Sequence, residues 1–310
     1  MKNKKLPLVS FVIPTHNRAD ILNDCLESVV TQTYENFEVI VVNDNSQDKT
    51  SEILQEYKLK YNFFRYYNST GKGGNAARNY GIEKAQGKYI ALMDDDDICE
   101  PNRIEAQMRP IIESNYYYNF SVCAFSMFNE NGKIVKVIDY LKPMQSLGFT
   151  VRWLIEKKII DKAGRFDLEQ PALQDVEFFW RLKEFAKTCY IKDALIRVRD
   201  TQISITKNHK KMIDAIIRLL NLHSKKMSER EKNLWLIILC KKLSKIGDWN
   251  LYKAYYQQIN KMRFPFAAIS LSISLYLKKG SILKVHSKIS VFYQKLISKY
   301  NLYHRDIDFI

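Results

Sequence analysis

The first hundred residues alternate between short apolar runs and segments whose apolar positions recur every three or four residues. VSFVIP (9–14) is almost continuously apolar, the pattern of a strand buried on both faces of a parallel sheet. Ile21, Leu22, Cys25, Leu26, Val29 and Val30 follow at helical spacing. FEVIVVNDNS (37–46) predicts a second buried strand that ends in polar residues, and SEILQEYKLK (51–60) a helix. FFRYY (63–67) predicts a third strand. A glycine-rich turn and a helix over roughly 75–86 then lead to a fourth strand, KYIALM (88–93). Strand alternating with helix in this way predicts an α/β sheet, mostly parallel, wound by right-handed crossovers.

Beyond Pro101 the pattern changes. A helix is predicted over roughly 102–114, then a β-hairpin made of SVCAFSMF, the turn ENGK (130–133) and IVKVI. A helical segment is expected around 151–160, an acidic helix over LQDVEFFWRLKEF (173–185) and a closing strand over CYIKDALIRVRD (189–200). From about 207 onward the pattern is helical with lysine-rich faces. Its most apolar piece, PFAAISLSISLYL (265–277), has 13 residues, short of the ~20 needed to span a bilayer. The expected division is a catalytic α/β domain over 1–206 and a basic, all-helical C-terminal region over 207–310.

Composition adds two constraints. Five cysteines (Cys25, Cys99, Cys123, Cys189, Cys240) are scattered and without CxxC spacing, which excludes a disulfide framework and a cysteine-based zinc site and favours a reducing compartment. The start, MKNKKLPLVSFVIP, faintly imitates a secretory leader, but Pro7 and Pro14 bracket too short an apolar run, so it is read as strand one. The net charge of +15 is unevenly placed: residues 1–206 hold 28 Lys+Arg and 28 Asp+Glu, whereas residues 207–310 hold 21 against 6. Two parts with different partners are expected.

Open parallel sheets bind ligands at the carboxyl ends of their strands. Three polar clusters fall there: Pro14-Thr15-His16-Asn17, Asn43-Asp44-Asn45-Ser46, and Asp94 to Asp97. An aspartate ending strand two can accept hydrogen bonds from a ribose hydroxyl or a base N–H, yet no GxGxxG follows strand one and no GxxxxGK[ST] is present, so neither NAD nor P-loop chemistry is supported. Four adjacent carboxylates repel one another, by ~1 kcal/mol per pair in water and ~4 kcal/mol at an effective dielectric near 20. They require full solvation or a cation. Carboxylates two residues apart point to one side where strand geometry persists, so Asp94 and Asp96 can share an ion while Asp95 faces away.

These residues resemble a known family. VSFVIPTHNRADILNDCLESVVTQTYENFEVIVVNDNSQDKTSEIL, GGNAARNYGIEKAQGKYIALMDDDDICEPNRIE and, more weakly, FDLEQPALQDVEFFWRL are similar to family-2 glycosyltransferases, which have the GT-A fold; the likeness covers roughly residues 7–200. It implies a nucleotide-sugar donor, a divalent metal (Mn2+ or Mg2+) and inversion at the anomeric carbon. Pro14, Thr15, Asn17 and Asp44 would line the nucleoside pocket, with Asp44 taking the base or ribose. Arg78 would lie near the diphosphate or uracil. Asp94 and Asp96 match the metal-binding DxD motif, and Asp94 and Asp95 are carried among the donor-binding residues. Asp175 falls where the family places its general base, although the usual Glu-Asp pair is Gln174-Asp175 here.

Structural alternatives stand beside these roles. The four aspartates could be a solvated loop capping the next helix, Asp44 an Asx-turn residue, and Asp175 a plain N-cap. Gly71, Gly73 and Gly74 serve turn geometry, His16 supports its loop, and His209 is a surface residue within reach of a phosphate as the alternative. The basic region admits nucleic-acid binding or attachment to anionic lipid. Aromatic and aliphatic residues interleave with lysines in LYLKKGSILKVHSKISVFYQKLISKY, which suits an interfacial helix. The expectation is therefore a hexose transfer, from a UDP-sugar to a saccharide or lipid-linked acceptor, in assembly of a surface polysaccharide such as O-antigen or capsule. The protein would be cytoplasmic, peripheral at the inner face of the membrane. The alternative is a nucleic-acid-associated nucleotide-binding protein.

Overall fold

The computed structural model describes residues 6–129, 131–138, 149–200 and 208–260, with Ser272. Strands β1 (Val9–Thr15), β2 (Phe37–Asn43), β3 (Phe64–Asn68) and β4 (Tyr89–Leu92) run parallel in the order β3-β2-β1-β4. Helices α1 (Leu22–Val30), α2 (Thr50–Lys60) and α3 (Gly74–Lys84) connect them. Every residue of β1 and β4 is buried, as their apolar runs predict for strands covered on both faces. Alternate side chains feed two cores: Val9, Phe11 and Ile13 pack with Leu22, Leu26 and Val29, whereas Val12, Ile40 and Val42 pack with Ala77 and Ile82.

The second half of the sheet is mixed. It adds β5 (Ile98–Cys99), α4 (Arg103–Glu113), β6 (Phe120–Phe128), β7 (Ile134–Ile138), β8 (Trp153–Glu156), α5 (Lys157–Ala163), α6 (Gln174–Leu182) and β9 (Thr188–Arg199). The full order is β3-β2-β1-β4-β8-β6-β9-β5, with β7 paired to β6 in the expected hairpin. The helix expected at 151–160 requires correction: a 3-10 turn (Thr150–Arg152) leads into β8, and only then does α5 begin. All four residues of β8 are buried between β4 and β6, and filling that slot outweighs the local helical spacing.

Two buried charges tie the strands together. Glu38 accepts from Ser10 Oγ at 2.5 Å and from the Gln86 N–H at 2.7 Å, and pairs with Arg65. Arg103 is wholly buried; its Nη2 donates to the carbonyls of Leu92 (3.1 Å) and Trp153 (3.4 Å) and its Nε to Gln107 Oε1 (3.1 Å). It thereby fixes the end of β4 two residues before Asp94.

The chain divides into two units, one of Met1–Glu169 with Gln174–Gln202, the other of Gln170–Leu173 with Ile203–Ile310. In the second, α7 (His209–His223), α8 (Glu229–Ile246) and α9 (Trp249–Tyr256) bear out the expected helical pattern, α8 starting at a Ser228/Glu231 capping box and ending at Gly247 with φ +75°. Ala172 and Leu173 pack on Met212 and Ala215 of α7, and Gln170 Nε2 donates to the Ala215 carbonyl at 3.3 Å. Apart from Ser272, the apolar piece 265–277 lies outside the described residues, as does the expected 206/207 boundary.

Candidate active site

The loops after β1 and β2 are bolted to each other at the carboxyl ends of their strands. The Asp44 N–H donates to the Thr15 carbonyl at 2.8 Å, and His16 Nδ1 bonds the Asp44 carbonyl at 2.7 Å. His16 thus supports its loop, as expected. Asn17, at φ +51°, donates its N–H to Ser46 Oγ (2.9 Å) and accepts from the Gln47 N–H (2.8 Å). Pro14 and Thr15 are buried at the end of β1, whereas His16 and Asn17 are exposed. The Asp44 carboxylate accepts the Gly73 N–H at 2.7 Å and so joins this rim to the turn that opens α3. Gly73 sits at φ +89°, which glycine adopts without steric cost.

The four aspartates after β4 alternate in exposure: Asp95 and Asp97 are buried, Asp94 and Asp96 partly exposed. The strand geometry expected through these residues is not found: Asp95 and Asp96 form a turn, closed by the Asp97 N–H on the Asp94 carbonyl at 3.4 Å. Arg78 Nη2 lies 2.5 Å from Asp94 Oδ1, and Arg18 places Nη2 at 3.5 Å from Asp96 Oδ2 and Nε at 3.7 Å from Asp95 Oδ1. Two guanidinium groups thus supply part of the positive charge that the four carboxylates require. Burial pushes the Asp95 carboxyl up to about 6, with the charge of Asp96 adding to the rise and the nearby Thr15 hydroxyl and Arg18 opposing it. Burial and then Asp94 raise Asp96. Asp97 is raised well above the usual carboxylate range, by burial first and by Asp94 and Asp96 next; it accepts the Arg199 N–H at 3.0 Å.

These groups fit a hard divalent cation. Asp94 and Asp96 keep carboxylate oxygens accessible, with side chains 34% and 20% exposed, and Mg2+-like ions are commonly held by one or two carboxylates plus phosphate oxygens. Among the described residues no cluster of three or more His, Cys, Asp or Glu side chains forms a cage on its own, so part of the ligand set would come from the diphosphate and water.

Asp175 is the second residue of α6. Its Oδ2 accepts the Phe149 N–H at 2.7 Å and its Oδ1 the Val176 N–H at 2.8 Å. A bond to a backbone 26 residues away is more than an N-cap requires. Burial raises its pKa, while those N–H groups and the charge of Arg78 oppose the rise. Arg78 therefore bears on both Asp94 and Asp175. Phe149 (φ +70°) and Leu173 (φ +57°) flank this carboxylate in the left-handed region, uncommon for bulky side chains.

Two residues that contact the acidic loop were not singled out from the sequence. Arg18, in the loop after β1, carried a signal: a cation in a polar strand-end loop facing an acidic one. Arg199 carried none, since it is the pairing of β9 with β5, the strand that follows the acidic loop, that brings it there. His209 opens α7 in the second unit, where burial and the nearby Lys242 and Lys245 lower its pKa.

Comparison with known proteins places the chain in a family. Residues 10–161 match the family model for glycosyl transferase family 2. A Haemophilus influenzae glycosyltransferase is 31% identical over 210 residues, spanning 66% of this chain and 83% of that protein. The chain belongs to glycosyltransferase family 2. Solved structures share the fold: Staphylococcus aureus TarS 1–349 in complex with UDP-GlcNAc matches this family-2 chain with a TM-score of 0.64 at 17% identity, over 89% of both chains. The Pyrobaculum calidifontis mannosyltransferase PcManGT, in complex with GDP-Man and Mn2+, matches with a TM-score of 0.55 at 13% identity, over 72% of this chain and 65% of that one. Some family-2 relatives are far longer: this chain spans 19% and 34% of the length of glycosyltransferases from Rickettsia bellii and Rickettsia felis.

Proposed function

We propose that this glycosyltransferase is inverting and metal-dependent, and that it moves a hexose from a nucleotide-sugar, a UDP-sugar, to a hydroxyl of a saccharide acceptor. The observation that carries the reading is the joining of the strand-end loops around Arg78, which lies 2.5 Å from Asp94 at the mouth of β4 on a helix whose opening Gly73 N–H donates to Asp44 at the mouth of β2.

Thr15, Asn17 and Asp44 form the rim for the nucleoside, its Pro14 underlay buried in β1. Arg78 is available to turn from Asp94 onto a diphosphate. Asp94 and Asp96 would hold Mn2+ or Mg2+, which when bound neutralises the charge that develops on a leaving diphosphate. Asp175 takes the proton of the acceptor hydroxyl as its oxygen forms the new bond to the anomeric carbon. The bond from that carbon to the diphosphate oxygen breaks in the same displacement, which inverts the centre and leaves nucleoside diphosphate. The complexes of TarS with UDP-GlcNAc and of PcManGT with GDP-Man and Mn2+ support the donor class and the metal.

The acceptor class we infer is a polyprenyl-diphosphate-linked saccharide, in surface-polysaccharide assembly such as O-antigen or capsule, reached by a protein peripheral at the inner membrane face. The cationic excess of residues 207–310 supports this. Among the described residues no helix is long and apolar enough to cross a membrane. UDP release measured over a panel of acceptors is the test. It should require acceptor, stop with EDTA, return with Mn2+, and fall below detection in Asp96→Ala. Turnover that survives chelation removes the metal; absence of nucleotide release with every donor removes the donor class.

A further inference from the structure

Arg199, the last residue of β9, is committed by three donors to the acidic loop and its surroundings. Its backbone N–H donates to Asp97 Oδ1 at 3.0 Å, its Nε to the Asp96 carbonyl at 3.2 Å and its Nη2 to Asp24 Oδ2 at 3.0 Å. The guanidinium lies 4.8 Å from the centre of the Phe128 ring, and Phe128 is its partner in the β6–β9 ladder. Only 16% of the side chain is exposed, against 60% for Asp24. Two of these bonds bracket the peptide that follows Asp96, so the main chain that carries its side chain is held from β9, while Arg18 meets the carboxylate itself at 3.5 Å.

We propose that Arg199 is a positioning residue, holding the main chain so that Asp96 converges with Asp94 on a divalent cation, with Asp24 as the anchor that orients the guanidinium. The inference rests on the cation site proposed above. Charge and geometry predict opposite signs here. A cationic side chain beside a dication site repels the ion, so if charge alone counted, its removal would tighten metal binding. If the side chain positions a ligand, removal loosens it. Groups that orient metal ligands are typically worth 10–100-fold in affinity.

The experiment titrates the full chain with Mn2+, free ion followed by electron paramagnetic resonance, with and without UDP. Arg199→Met keeps the length and the contact with Phe128 but deletes both side-chain donors; it should weaken Mn2+ binding about tenfold or more. Arg199→Lys keeps the charge without the fork and should also weaken it. Asp24→Asn, which leaves the Nε bond intact, should shift affinity in the same direction by less. UDP affinity in EDTA should stay within about twofold, and the KM for Mn2+ should rise while kcat at saturating Mn2+ recovers. Thermal unfolding identifies any variant that has lost its fold; should Arg199→Met do so, the lysine and Asp24 variants decide. Unchanged or tighter Mn2+ binding in the folded variants, with normal uptake by the wild type, overturns the positioning role alone. Absence of uptake by the wild type overturns the cation site and this inference together.

Discussion

Asp175 combines two properties that a base toward a hydroxyl needs. Burial raises its pKa from 3.8 and so strengthens it as a proton acceptor, while two backbone N–H groups fix its oxygens. A base must be ionised to act, so activity should fall on acidification along a limb centred above 3.8. Asp175→Asn should lower kcat by about 10²–10⁴-fold, leave donor affinity intact and abolish that limb. Near-normal turnover with the limb unchanged would reassign the base. Asp175, Asp94 and Asp96 were legible in the sequence as candidates, the last two from their place at the mouth of a buried strand, although the chain turns there instead of continuing as strand. Their partners were not. Arg78 and Arg18 meet aspartates 16 and 78 residues away, and no local periodicity encodes a pairing across the sheet.

At the level of elements, α3 delivers Arg78, and its seating on the sheet sets where that guanidinium points. A Cβ at Gly81 would lie 2.5 Å from Val12 Cγ1 and 3.2 Å from Val42 Cγ2, both on buried valines. Asn79 pins the same helix to Phe166 by two hydrogen bonds, of 2.8 and 2.9 Å, so the helix has little room to retreat. Overpacking costs about 1–3 kcal/mol, against about 1 kcal/mol gained when alanine replaces glycine within a helix. Gly81→Ala should therefore lower the unfolding midpoint by a few degrees and raise the KM for donor. Adding Val12→Ala should recover part of both, a coupling that a double-mutant cycle measures; strictly additive effects would dismiss the contact. The strand-helix alternation that places α3 was legible because each element buries its own apolar stripe. β8 was not: Val151, Leu154, Ile155 and Ile159 fall at helical spacing, and only the slot between β4 and β6 makes Trp153–Glu156 a strand.

Over the whole molecule the charge is the dominant asymmetry, and its test must respect the chain's path. Cutting at residue 207 would remove α7, and with it the packing partners of Ala172 and Leu173 and the Ala215 carbonyl that Gln170 bonds. Those residues immediately precede α6 and Asp175, so truncation would confound anchoring with damage to the proposed base. Vesicle binding by the intact chain avoids this. Each Lys or Arg at an anionic surface contributes ~1 kcal/mol, and residues 208–260 alone carry 11 Lys+Arg against 4 Asp+Glu. The full chain should co-sediment with vesicles rich in phosphatidylglycerol at low salt and far less with phosphatidylcholine. It should be released as salt shortens the Debye length from about 10 Å at 0.1 M to about 3 Å at 1 M. Indifference to lipid charge would exclude electrostatic anchoring, and a tighter, equally salt-sensitive hold on single-stranded RNA would move the basic region to a nucleic-acid partner.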